Sequence, residues 1–476
     1  MKPLHNRFRL LTLILIGLLF LAGLYGVYSI TVYGNRWFSS SRNMRYREAK
    51  NSVIAGNIID RNGVVLAATG EDGSRMYQPD LESRSAIVHL IGDREGNVAN
   101  GVESFQSSYL LGFETTLAER VLSLIKGEER RGDDVTLTVD SKLCTVIVRA
   151  FNVNVRTQNK SGAAVVMNYK TGEVIAMVSV PVYDPANITD AVKSNTQHPF
   201  WNRATQSTLP PGSAFKIVTA SSALENLEGI EDKVFTCTGG TLVDGQIISD
   251  YGNAQHGKLK LSKAFRVSCN NTFAQIALTL GDRTLRKTAE DFGFNDNFLF
   301  RDLVVENSVY PTQNRTPLQI AWSGDGQSQV AVTPMHMCMV AAAIANGGVM
   351  MEPRLLYHVV SPAGLTRLRF TSKVYRRAVS AEIAKTIQGY MIDTVARGTA
   401  TAAQVEGLTI AGKTGSAEGS ANGKDVTHAW FAGYIADDRY PYAVCVFVEE
   451  GESGGGVAAP IAQAIFRYIQ EYYPFQ

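Results

Sequence analysis

The chain lacks the features that mark metal centres and nucleic-acid binders. Its five cysteines, at 144, 237, 269, 338 and 445, form no Cys-x-x-Cys, and no histidine pair has helical ligand spacing. Sequence spacing therefore offers no metal site, and no metal or other cofactor is expected. An odd cysteine count leaves at least one thiol free. For a domain outside the membrane the hypothesis is that all five are free, as a reducing niche would allow. The formal net charge is only +2, and no basic stripe is interleaved with aromatics, which argues against a nucleic-acid partner. Internal repeats and low-complexity tracts are absent. What is present is ordinary globular material, 476 residues with 45% hydrophobic and 19% charged side chains, enough for roughly two to four domains with ample core.

One apolar run stands out. Leu10 to Ile30 carries no charge, and its 21 residues would span about 30 Å as a helix. It is long for a signal-peptide core, and no small-x-small cleavage site follows Ile30, so an uncleaved single-pass anchor in the cell membrane is expected. Lys2, Arg7 and Arg9 favour a cytoplasmic N-terminus, with the remainder extracytoplasmic. Arg36, Arg42, Arg45, Arg47 and Lys50 follow the run, so charge alone leaves orientation open.

Beyond a basic stalk at 39–50, the run from Gly56 to Ala67 reads as two short strands about an Asn62-Gly63 turn. Leu117 to Ile125 reads as an amphipathic helix, Val135 to Asp140 as a strand and Ser141 to Asn152 as a helix. Ala163 to Asn168 and Glu173 to Val180 are apolar and β-branched around Tyr169-Lys170-Thr171-Gly172, a hairpin signal. Further strands are expected over 408–413, 429–436 and 442–449. A closing helix after Pro460 carries Ile461, Ala464, Ile465, Tyr468, Ile469 and Tyr472 on one face. Strands at both ends with helices between imply an α+β domain whose sheet is closed by distant segments.

Three short strings occur in one order: Ser213-Ala214-Phe215-Lys216, Ser268-Cys269-Asn270 and Lys413-Thr414-Gly415. Ser213 follows Pro210-Pro211-Gly212, which bars helix, and precedes an apolar helical run. It therefore sits at a helix N-terminus, where free N–H groups and the helix dipole favour negative charge. Lys216 lies one turn on, within reach of the Ser213 hydroxyl; half buried among apolar neighbours, its amine is expected to have a lowered pKa and to act as a base. Taken alone, Ser213 reads equally as an N-cap serine. Lys413 continues the alternation of Leu408, Ile410 and Gly412 along a strand whose edge could pair with a peptide. Each string has decoys. Ser123 to Lys126 lies in an ordinary helix, Lys170 to Gly172 in a hairpin turn, Ser41 in the stalk and Ser420 in a glycine-rich loop. Gly407 to Thr414 matches the phosphate-loop spacing, but its middle residues alternate like a strand, so no nucleotide is expected.

With the three strings placed, the chain resembles the class B penicillin-binding proteins, the membrane-anchored D,D-transpeptidases of peptidoglycan synthesis. The resemblance extends to Ile59-Asp60-Arg61-Asn62-Gly63, Asn202-Arg203-Ala204, Ala345-Asn346-Gly347-Gly348, Lys413 to Glu418 and Ala429 to Gly433. It implies a serine transpeptidase/β-lactamase-like five-stranded antiparallel sheet flanked by helices, preceded by a small N-terminal domain. The division expected is anchor 1–31, N-terminal domain 32–155 and transpeptidase domain 156–476. By the same resemblance Ser213 attacks the D-Ala-D-Ala bond of a stem peptide, Lys216 takes its proton, and Ser268 and Lys413 carry a proton to the leaving D-alanine. Asn270 binds the substrate amide, Thr414, Gly415 and Ser416 bind its carboxylate and strand edge, and the N–H groups of Ser213 and Ser416 form the oxyanion hole. β-Lactams would acylate Ser213. A separate polytopic glycan polymerase is implied, because the glycosyltransferase motif of class A relatives is absent. One departure is Gly324-Asp325-Gly326-Gln327, where the family usually has a Gly-Gln-Gly-like turn. Rival readings are a D,D-carboxypeptidase and a membrane-bound β-lactamase or β-lactam sensor; the lack of a Glu-x-x-Leu-Asn string argues against a lactamase.

Overall fold

The computed structural model describes residues 2–38, 50, 52–70, 72–127, 129–153, 155–313, 315–421 and 424–473. Helix α1, Lys2–Phe38, contains the stretch Arg9–Ser29, the one segment among the described residues long and apolar enough to cross a membrane.

After α1 comes a six-stranded sheet. The strands Ile58–Ile59 and Val65–Thr69 pair antiparallel, as the Asn-Gly turn predicts. Asp60 closes that turn, its Oδ1 accepting from Asn62 N at 2.8 Å and Val64 N at 2.9 Å. Strand Asp134–Leu137 joins in parallel with Ile58–Ile59. Its other edge is taken by Leu356–Val360, from far down the chain, so the sheet is completed by a late segment. Helix α2, Ser141–Val153, packs away from this sheet, against the catalytic region.

The catalytic sheet has strands β1 (Gly162–Asn168), β2 (Val174–Val180), β3 (Ile410–Ala421), β4 (Lys424–Ile435) and β5 (Tyr442–Val448), in the antiparallel order β3-β4-β5-β1-β2. Antiparallel sheets often wet one face, but β1, β2 and β5 are buried at every position, because helices cover both faces. This is why their sequences read as continuous apolar runs and not as alternation. The β1–β2 turn forms where predicted, with Asn168 Oδ1 accepting from Lys170 N at 2.9 Å.

Between β2 and β3 lies the helical layer: α3 (Lys216–Asn226), α4 (Asn270–Asp291), α5 (Pro334–Ala345) and α6 (Ala381–Arg397). The apolar α5 lies on β1, β4 and β5, while α2 and the closing helix α7, Ala459–Tyr472, pack together and onto the same sheet. The β3–β4 hairpin is longer than expected. Ser420 belongs to strand and not to a loop, because the ladder continues to Ala421 and Lys424. The Lys413 strand is real, which removes the phosphate-loop reading.

The region before the catalytic sheet is stitched to it by side chains around the sequence Asn202-Arg203-Ala204. Asn202 Nδ2 donates to His89 O at 3.0 Å, Asn100 Nδ2 to Thr205 Oγ1 at 2.8 Å, and Arg203 Nε to Glu449 Oε1 at 2.9 Å.

Candidate active site

The first string forms a 3₁₀ turn, Gly212–Phe215, that runs directly into α3. With three residues per turn, positions i and i+3 eclipse, so Ser213 and Lys216 lie along one edge. Two glycines let this turn touch the sheet. Gly212 has φ +54°, and a Cβ there would stand 2.5 Å from Ser416 O; a Cβ on Gly415 would stand 2.4 Å from Pro211 O. No side chain fits at either place.

The second string is a corner between two helices. Helix Leu261–Val267 ends at Ser268, whose left-handed backbone (φ 61°, ψ 42°) is costly for a non-glycine residue. Helix α4 then starts at Asn270, with Cys269 as its N-cap. The corner points Ser268 and Asn270 at the lysine of the first string. Lys216 Nζ donates to Ser268 O at 2.8 Å, to Ser268 Oγ at 3.3 Å and to Asn270 Oδ1 at 2.7 Å. Asn270 is itself held by donation from Nδ2 to Ser249 O at 2.9 Å.

The third string lies on β3. Lys413 Nζ donates to Ser268 Oγ at 2.9 Å and to Thr414 O at 2.9 Å. The Ser268 hydroxyl is thus shared by two lysine amines, and both lysines are completely buried. This corrects the expectation of a half-buried Lys216. Thr414 Oγ1 shares a 2.7 Å hydrogen bond with Thr399 Oγ1, and Ser416 Oγ accepts from Gly454 N at 3.3 Å. Ser213, Ser268, Asn270, Thr414 and Ser416 line one cleft of about 640 Å³. Of the site residues singled out in the sequence, these five line the cleft, Lys216 and Lys413 lie buried against Ser268, and Gly415 packs against the Ser213 turn.

Sequence reading missed Asp325. In the departing string Gly324-Asp325-Gly326-Gln327, Gly326 O accepts from Gly212 N at 3.1 Å, which ties the string to the Ser213 turn. Asp325 is 3% exposed, and its Oδ1 lies 3.1 Å from Lys216 Nζ. An acidic residue between two glycines beside an apolar helix was the available signal. Burial raises the Asp325 carboxyl to about 6, against the pull of Lys216 and Lys413. Burial, then the Lys216 charge, holds Lys413 well below the usual lysine range, with Asp325 opposing. The charged form of Lys413 is thus opposed by its burial and by the amine of Lys216, with Asp325 the one carboxylate beside them.

A second polar group lies behind Ser268. Cys237, Asp250, His256 and Cys269 bring four ligand atoms within 4.8 Å of one another. The expectation of no metal considered only ligands close in sequence, and these four come together through the fold. All five cysteines are buried, and none is joined in a disulfide.

Residues 162–467 match the family model for the penicillin-binding protein transpeptidase domain. The chain is 30% identical over 447 residues to peptidoglycan D,D-transpeptidase PbpA of Mycolicibacterium smegmatis, covering 89% of this chain and 90% of that protein. It is 32% identical over 438 residues to stage V sporulation protein D of Bacillus subtilis, covering 86% of this chain and 65% of that protein. Penicillin-binding protein A of M. tuberculosis, solved as a ceftriaxone acyl-enzyme, superposes with a TM-score of 0.80 at 26% identity, over 88% of this chain and 98% of that one. The D,D-transpeptidase domain of a peptidoglycan glycosyltransferase from Eggerthella lenta gives 0.75 at 30% identity, over 88% and 99%. From the crevice, the sheet order and these likenesses together, the chain belongs to the penicillin-binding protein transpeptidase family, among its class B members.

Proposed function

We propose that this chain is a peptidoglycan D,D-transpeptidase that cross-links stem peptides through a seryl acyl-enzyme on Ser213, and that β-lactams acylate the same serine. The observation that carries the reading is the Lys216–Ser268–Lys413 chain of contacts beside Ser213. Acylation needs a free base amine at Lys216, and the Ser268 hydroxyl, held by both amines, links it to Lys413 for proton exchange. Ser213 Oγ then attacks the carbonyl of the penultimate D-alanine while Lys216 takes the hydroxyl proton. The N–H groups of Ser213 and Ser416 hold the oxyanion. Collapse breaks the peptide bond, and the leaving D-alanine amine receives, by way of Ser268 and Lys413, the proton that Lys216 took from Ser213. An acceptor amine then attacks the ester, gives one proton to the lysine pair, and the departing Ser213 oxygen takes that proton to regenerate its hydroxyl. Asn270 binds the substrate amide, and Thr414 and Ser416 bind its carboxylate, while the β3 edge at Gly415 pairs with the peptide backbone.

The division we propose is an anchor at 1–31, an N-terminal region at 32–155 and a catalytic region at 156–476, with α2 bridging the last two. Helix α1 supports a single-pass protein with its cleft outside the cytoplasm, served by a separate polytopic glycan polymerase. Mass spectrometry of the full-length chain labelled with fluorescent penicillin tests the core of the reading. The adduct is expected on the tryptic peptide carrying Ser213, and polymerised glycan should yield cross-linked dimers. Release of D-alanine without dimers would assign the chain to the carboxypeptidases, and a penicilloyl adduct lost within seconds would assign it to the lactamases.

A further inference from the structure

We propose that helix Leu117–Lys126 lies in the membrane interface with its apolar face against the acyl chains, a second attachment of the N-terminal region beside the anchor. This placement rests on α1 as a membrane anchor and does not depend on acyl transfer. The helix has the amphipathic pattern its sequence shows, but it is turned inside out. Leu117, Val121, Leu124 and Ile125 fall within an arc of about 100° at 3.6 residues per turn. They are 79%, 48%, 79% and 78% exposed, whereas the polar Glu119 and Ser123 on the other side are half-buried. Glu119 pairs with Arg367 at 3.1 Å, on the hairpin of Leu356–Val360 and Thr366–Arg369. The polar side thus faces the protein and the apolar side faces out. The helix is instead secured by its own ends. Thr116 and Glu119 form a capping box at its start, and Gly127, left-handed at φ 69°, closes it. Singly exposed apolar side chains need no explanation, but four on one helical face call for a cover.

The place of the helix in the chain points to the bilayer as that cover. Ile54 N donates to Arg130 O at 3.0 Å, and Gly132 N donates to Ile54 O at 2.9 Å. The segment that leaves the helix is therefore bonded to the first stretch of fold that follows the anchor. Between the apolar run, which ends at Ser29, and Lys50 lie only the last turns of α1, to Phe38, and residues 39–49. At full stretch they reach no more than about 60 Å, so the part of the fold that carries the helix stays within reach of the membrane. Four acidic and four basic residues fall between 114 and 131, so the segment has no net charge. Attraction would come from apolar burial and not from anionic headgroups. Lying flat, the helix would add about 15 Å of contact. Two attachments would keep the N-terminal region from swinging on its single connection to α1.

The test uses the full-length chain reconstituted in vesicles of phosphatidylethanolamine and phosphatidylglycerol. The native cysteines are buried, so an environment-sensitive NBD label can be placed at Leu124→Cys, and at the exposed Lys385→Cys as the aqueous reference. Emission at 124 should lie about 10–20 nm to the blue of that at 385, and doxyl lipid should quench it at least about threefold. Both effects should persist in phosphatidylcholine vesicles at high salt, because the segment carries no net charge. Adding Leu117→Glu and Ile125→Glu should return the label at 124 to water. Those changes should move the Tm by less than about 2 °C, since both side chains are already exposed. Equal emission at 124 and 385, in a chain that resists carbonate extraction, would overturn the proposal and leave the anchor standing. A blue emission that doxyl lipid leaves unquenched would assign the face to a second copy of the chain and overturn it as well. A chain stripped from the vesicles by carbonate would overturn the anchor reading, and this proposal with it.

Discussion

Ser268 and Cys269 are neighbours in the chain but belong to two different polar groups. The Ser268 hydroxyl lies between two buried amines that share one carboxylate, Asp325. The Cys269 sulfur lies with a second thiol, a carboxylate and one imidazole. In the first group burial opposes the charge on Lys413, and the Ser268 hydroxyl is the part that reaches the cleft. In the second the two thiols are buried, and Asp250 and His256 reach the cleft wall. One helix corner thus separates a lysine-rich group from a thiol-rich one. The strained backbone at Ser268 is the structural cost of placing them back to back.

Substitutions on the cleft side should divide this pair cleanly. Ser213→Ala should reduce fluorescent-penicillin labelling by at least about 10⁴-fold while leaving Tm unchanged, since it removes one hydroxyl from a half-buried turn. Lys413→Ala should slow acylation by on the order of 10³-fold, read by stopped-flow with a chromogenic cephalosporin. It should also alter stability in a pH-dependent way. Because burial depresses Lys413, the unfolded state binds more protons between its folded pKa and 10.5, so the parent protein gains stability as pH rises through that window. The variant should lack that rise in urea titrations.

Asp325→Asn should cost roughly 10–100-fold in acylation by loosening Lys216. It also removes the charge that opposes the lowering of Lys413, so the acid limb of the pH–rate profile should move to lower pH. The Asp325 carboxyl is raised from 3.8 to about 6, so its contribution to stability is full below 3.8 and is lost as pH rises through about 6. The Asp325→Asn variant should flatten that fall; a fall that persists would show that Asp325 is not the titrating group. The smallest effect is expected from Thr399→Val, which removes one hydrogen bond to Thr414 worth about 1 kcal/mol, or roughly fivefold in acylation.

Much of the cleft was legible because its parts are local. Proline before Ser213, an apolar helix after it and a lysine one turn on are features of a single segment. The alternation around Lys413 likewise marks a strand without reference to anything else. Asp325 was less legible, since a Gly-Asp-Gly turn looks like any surface loop until the fold buries it beside Lys216. The N-terminal sheet was legible only in part. Its Asn-Gly hairpin announces itself, but nothing near residue 137 indicates that Leu356–Val360 will pair with it. The grouping of Cys237, Asp250, His256 and Cys269 was illegible for a related reason, since twelve-residue gaps carry no periodicity that a strand or helix would impose.

The sequence alone determined the apolar α1, the sheet-forming runs and the order of three catalytic strings, because hydrophobic period, turn chemistry and helix starts act over a few neighbouring residues. Only the tertiary structure decided that Asp325 joins the two lysines, that a late hairpin completes the early sheet, and that Cys237, Asp250, His256 and Cys269 share one space. Those pairings are fixed by burial. A charge or a thiol finds its partner when packing removes water from around both, and that depends on the whole chain and not on spacing along it.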